Sequence, residues 1–191
     1  ISAQSAAVHG GLLRSSHMEN AEAIYLTSGF VYKSAEEAEA AFKGQIDRYV
    51  YSRYANPTVS MLEERLRLLE GAEACMGVGS GMAAVFAALA CQLSAGHRLV
   101  ASRALFSSCH VIATQILPRY GIETELVDGG DMDAWEAALS KPTKVVFLET
   151  PSNPTLEIID LAAIAKLSKQ AGACLVVDNV FATPMQQRPL E

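Results

Sequence analysis

The pattern of apolar and polar positions changes character near residue 56. Residues 1–50 hold no sustained period and read as an extended N-terminal arm without a core of its own. One stretch there predicts a helix, 34–42, with Ser34 as N-cap and Glu36 and Glu37 in its first turn. From Asn56-Pro57 onward the punctuation is regular. Pro57 suits a first helical position, Val59, Leu62, Leu66 and Leu69 recur at helical spacing, and Gly71 ends the segment. Residues 80–93 form a second helical stretch. It is apolar nearly all round, so it is expected to be buried.

Strands and helices then alternate. Strands are predicted at 98–102, 123–127, 144–148 and 174–177, and helices at 107–119, 131–139 and 160–171. Short β-branched runs between amphipathic helices mean crossover units. The fold class is therefore α/β, with a mostly parallel sheet flanked by helices.

Composition narrows the partners. The 191 residues are half hydrophobic, enough for one sizeable domain. Lys and Arg number 15 against 21 Asp and Glu, a net charge of −6, which argues against a nucleic-acid partner. Cys75, Cys91, Cys109 and Cys174 lie far apart, with no pair or cluster of metal-ligand spacing, and fit a reducing, cytoplasmic setting. No apolar stretch is long enough to span a bilayer, so no membrane partner is expected. The opening residues carry no secretory pattern, and the start on Ile1 leads to the expectation that further residues precede it.

In such a sheet, ligands bind off the carboxyl ends of the strands. Unusual residues fall there: the glycine-rich turn Gly77-Val78-Gly79-Ser80-Gly81-Met82, the stretch Glu149-Thr150-Pro151-Ser152-Asn153-Pro154, and Asp178-Asn179. A glycine turn opening a helix makes an anion site, or simply a tight strand-to-helix turn. Gly79 to Ala84 also fits the dinucleotide pattern G-x-G-x-x-A. That pattern wants an acid about 20 residues on, and no Asp or Glu stands between Glu73 and Glu123. NAD is thereby disfavoured, while NADP survives through Arg103. Asp178 could merely cap a turn, and Asn153 merely belong to one. Together with a phosphate cradle they point to pyridoxal phosphate, which needs a phosphate cup, a carboxylate for its ring nitrogen and a lysine.

Four segments occur in order: Tyr51-Ser52-Arg53-Tyr54-Ala55-Asn56-Pro57-Thr58, Ser80-Gly81-Met82-Ala83-Ala84, Glu149-Thr150-Pro151-Ser152-Asn153-Pro154 and Val177-Asp178-Asn179. This order resembles the Cys/Met-metabolism family of pyridoxal-phosphate enzymes, the cystathionine γ-synthase-like group of fold type I. The resemblance covers the whole chain. It implies a fold type I transferase-like architecture, with an arm at 1–50 and an incomplete cofactor domain at 51–191. It implies that Ser80, Gly81 and Met82 cradle the cofactor phosphate, Gly81 and Met82 through backbone N–H groups. Phe106 would stack on the ring, Asn153 would bond the 3′-oxygen, and Asp178 would keep the ring nitrogen protonated. Tyr51 and Arg53 would reach the phosphate of a neighbouring subunit's cofactor, so a homo-oligomer is expected, a tetramer built from dimers.

Phe106 departs from the tyrosine that most of the family looks to have, keeping the stacking face and losing the hydroxyl proton. Together with Leu26 to Tyr32, it looks like the O-succinylhomoserine sulfhydrylase branch of that family. The implied reaction is γ-replacement, in which O-succinyl-L-homoserine and sulfide give L-homocysteine and succinate. Cystathionine γ-synthase or γ-lyase chemistry is the alternative within the family. The cofactor-bearing lysine that the family places after the aspartate, and the C-terminal domain, are expected beyond Glu191. An NADP-binding oxidoreductase domain and an inactive structural fragment remain as readings of other classes.

Overall fold

The computed structural model describes residues 1–191, which form two compact units, Ile1–Gly77 and Val78–Glu191.

The first unit is built on three helices, α1 (Ala3–His9), α2 (Ala35–Phe42) and α3 (Pro57–Glu70). The N-cap of α2 is Ser34, as the sequence predicts, and its hydroxyl accepts the Glu37 N–H. Asn56 caps α3 through the Thr58 N–H, and Gly71 ends it in the left-handed conformation. Helix α1 has no counterpart in the expected irregular arm. It is capped by Ser2, and the segment after it lies along α3. Gly11, at φ +72°, passes so close that an added Cβ would stand 2.7 Å from the Met61 carbonyl oxygen. Arg65 donates to the Gly10 carbonyl and pairs with Glu22. The Tyr25 N–H bonds the Thr58 hydroxyl at 2.9 Å, and the Asn56 amide donates to the Tyr25 carbonyl. These bonds tie residues 10–25 to α3 within the first compact unit.

The second unit is a four-stranded parallel sheet in the order β2-β1-β3-β4, from β1 (Arg98–Ser102), β2 (Glu123–Val127), β3 (Val145–Glu149) and β4 (Cys174–Asp178). Helices α4 (Gly81–Ala90) and α5 (Ser107–Val111) cover one face, and α6 (Met132–Leu139) and α7 (Leu161–Gln170) the other. Strand alternation divides the core. Leu99, Ala101, Val145 and Phe147 pack with Leu89, Cys109 and Ile112, whereas Val100, Val146 and Leu148 pack with Trp135 and Ile164. Asp131 and Asp160 cap α6 and α7 through the Ala134 and Ala163 N–H groups. The short α8 (Thr183–Gln186) follows β4.

Three expectations change. The helical stretch 80–93 is not buried: along α4 only Leu89 is, while Phe86 and several alanines face outward. The predicted helix 107–119 is continuous in space but changes its hydrogen bonding, from α5 to a π-helical turn at Ile112–Ile116 and a 3-10 turn at Leu117–Tyr120. Pro118 brings no N–H to the ladder, and the Thr114 hydroxyl bonds the His110 carbonyl at 2.7 Å. Finally, β3 and β4 each extend one residue further than predicted, so both end on a carboxylate. No helix is long and apolar enough to cross a membrane.

Candidate active site

Period-2 alternation explains why two acids meet at one end of the sheet. Val145 and Phe147 face the α4–α5 side, so Glu149 does too. Val176 packs on the same cluster, which sets Asp178 on that side of β4. Glu149 and Asp178 are register partners. Above them opens a cavity of about 680 Å³, bordered by Ser80, Gly81, Met82, Phe106, Asn153 and Asp178.

The α4 end of the cavity is polar through its backbone and the Ser80 hydroxyl. The Ser80 hydroxyl accepts the Ala83 N–H at 3.1 Å, and the Ser80 carbonyl accepts that of Ala84. The Gly81 and Met82 N–H groups have no intrahelical acceptor and carry the positive end of the helix dipole. A Cβ added at Gly79 or Gly81 would meet nothing within 4 Å, so this backbone opens to space. No strand precedes α4, which removes the strand-turn-helix context that a dinucleotide fingerprint at Gly79 to Ala84 requires.

The strand end of the cavity is acidic. Asp178 is half-buried; its Oδ1 accepts the Val180 N–H at 3.1 Å, and its other oxygen takes no hydrogen bond from the chain. Glu149 is only 1% exposed. Its Oε2 accepts the Phe106 N–H and its Oε1 the Asn153 N–H, each at 2.7 Å. Burial pushes its carboxyl above the ordinary range, the two N–H donors oppose that, and the Asp178 charge adds to it. The Cys109 Sγ lies within 4.8 Å of both carboxylates. Burial first, then Asp178 and Glu149, push that thiol up to about 11. The cluster was absent from the sequence reading, because Cys109 stands far from both acids along the chain. Glu149 appeared there only within a quoted motif, without a role.

The loop after β4 is stitched to the loop after β3. Asn179 and Gln187 exchange hydrogen bonds, and the Gln187 amide also donates to the Thr150 carbonyl at 3.0 Å. Six of the eight sequence-predicted site residues thus meet on one cavity. Tyr51 and Arg53 belong to the other compact unit. There the exposed Arg53 guanidinium lies 4.7 Å from the Tyr54 ring centre and 5.5 Å from that of Tyr51, with no hydrogen-bond or ion-pair acceptor.

Residues 4–191 match the family described as Cys/Met metabolism PLP-dependent enzyme. The chain belongs to that family. An O-succinylhomoserine sulfhydrylase of Mycobacterium tuberculosis is 57% identical over 188 residues, covering 98% of this chain and 46% of the relative. One from Pseudomonas aeruginosa is 42% identical over 185 residues, covering 97% and 46%. The chain therefore spans about half the length of the curated relatives it matches. Among solved structures, a Campylobacter jejuni protein described as an O-acetylhomoserine (thiol)-lyase superposes with a TM-score of 0.91 at 30% identity. That likeness covers all of this chain and 47% of that one, and the protein holds an N′-pyridoxyl-lysine-5′-monophosphate. A pyridoxal-phosphate family replaces the NADP-binding reading of the sequence.

Proposed function

We propose that the full-length protein holds pyridoxal 5′-phosphate in the cavity at the strand ends and exchanges the succinate of O-succinyl-L-homoserine for sulfide. The products are L-homocysteine and succinate, a step of methionine biosynthesis. One observation carries the reading: unpaired N–H groups of Gly81 and Met82, the Phe106 ring and the Asp178 carboxylate border a single cavity. That donor set fits a flat aromatic cation bearing a phosphate. The names borne by the relatives from M. tuberculosis and P. aeruginosa support the choice of substrate.

In this reading Gly81 and Met82, at the N-terminus of α4, would hold the phosphate beside the Ser80 hydroxyl. Asp178 would hold the ring nitrogen through its free oxygen and would keep a proton there. The buried charge is then compensated. Phe106 would stack on the ring, and Asn153 would donate to the 3′-oxygen. Bound there, the cofactor would supply an electron sink for charge developing on the substrate. Phe106 has no hydroxyl, so no proton is held or moved at that position. Tyr51 and Arg53 reach the phosphate in a neighbouring subunit, which makes the working assembly a dimer at least and a cytoplasmic tetramer in full.

The test is product analysis on the full-length protein supplied with pyridoxal phosphate, O-succinyl-L-homoserine and either sulfide or cysteine. Homocysteine from sulfide is the expected outcome. Cystathionine from cysteine as the main product, or 2-oxobutyrate without any sulfur nucleophile, would replace this reading with a synthase or lyase one.

A further inference from the structure

We propose that Glu149 is a positioning residue of this pocket: it clamps Phe106 and Asn153 by receiving one backbone N–H from each on its two carboxylate oxygens. The inference deepens the cofactor-site reading and rests on it for its ligand. Phe106 precedes α5, in the turn after β1, and Asn153 lies in the loop after β3. The ring and the amide that border the cavity thus come from separate connections. Glu149 supplies the hydrogen bond recorded for each of these N–H groups. Phe106 is the N-cap of α5 and makes no side-chain cap bond of its own. The spacing between aromatic face and amide is therefore set by one buried side chain.

The residue type follows from the task. A purely structural end to β3 would be apolar, like the four residues before it. A carboxylate is placed there against the cost of burial, beside a second acid. The two donors account for it, because a carboxylate alone offers an acceptor on each terminal atom. Glutamine has the same shape, but its NH₂ would face one of the two N–H groups.

The experiment compares full-length wild type with Glu149→Gln and Asp178→Asn, using two readouts. The first is hydrogen–deuterium exchange, without cofactor, at the Phe106 and Asn153 amides. The second is the dissociation constant and near-visible circular dichroism of added pyridoxal phosphate. In Glu149→Gln, exchange at one or both amides should rise about tenfold while the rest of the sheet keeps its protection. The cofactor should bind about tenfold more weakly with an altered dichroic band. Asp178→Asn should leave both amides protected. Unchanged exchange at both amides, unchanged binding and dichroism, or loss of protection spread over the whole sheet would each overturn the proposal. If wild type binds no pyridoxal phosphate, the cofactor reading fails, and exchange alone then decides the clamp. If Glu149→Gln does not fold, wild type decides: rapid exchange at either amide overturns the clamp, and slow exchange at both supports it.

Discussion

Glu149 and Asp178 end adjacent parallel strands in direct register, yet their carboxylates have opposite surroundings. Glu149 is buried with both oxygens engaged by backbone N–H groups. Asp178 is half-buried and keeps one oxygen free toward the cavity. One acid therefore serves the frame and the other is available to a ligand. Asp178→Asn removes the charge and keeps the shape. In the full-length enzyme it should retain the fold and lower turnover by on the order of 100-fold. Steady-state kinetics beside a thermal melt check this; full turnover would refute the role of Asp178.

Phe106 borders the cavity and is 37% exposed. Phe106→Tyr should bind pyridoxal phosphate as wild type does. Phe106→Ala should bind about tenfold more weakly, the size of one lost aromatic stack. Equilibrium dialysis of the cofactor separates the two.

At the opposite end of the sheet, the side chain of Arg98 is 6% exposed and bonds the Ala138 carbonyl, the Thr143 hydroxyl and Glu125. Arg98→Met should cost about 3 kcal/mol, because partners are left without their donor. Arg98 is the main cause holding the Glu125 carboxyl below the ordinary range, with Lys141 adding to it. A carboxyl whose pKa is lower folded than unfolded stabilises the fold above its unfolded pKa. That contribution disappears as the pH falls through the folded value. The melting-temperature gap between wild type and Glu125→Gln should therefore be present at neutral pH and close in acid.

The Cys109 thiol, buried and pushed up to about 11, should stay neutral and unreactive at pH 8. Iodoacetamide labelling followed by peptide mapping should leave Cys109 unmodified until the protein is denatured.

The crossover fold was legible because each strand is a short segment carrying valine between helical stretches, and each helix on the α6–α7 face carries an Asp cap. Helix α4 misled because alanine counts as apolar yet sits at ease on a surface, so its sequence carries no face. Helix α1 was invisible for a related reason. Its seven residues, AQSAAVH, have too little contrast for a period, and its support comes from α3, far along the chain. The six pocket residues were legible through strand ends and ordered motifs. The part played by Glu149 was not, since its partners are backbone N–H groups brought near only by folding.

The most direct test of the account is whether the full-length protein retains pyridoxal phosphate. The purified protein, mixed with the cofactor and passed through a desalting column, should carry a near-visible band in about one-to-one ratio with protein, bleached by borohydride. Elution of all the cofactor with the small molecules would contradict the assignment of the strand-end cavity as its site.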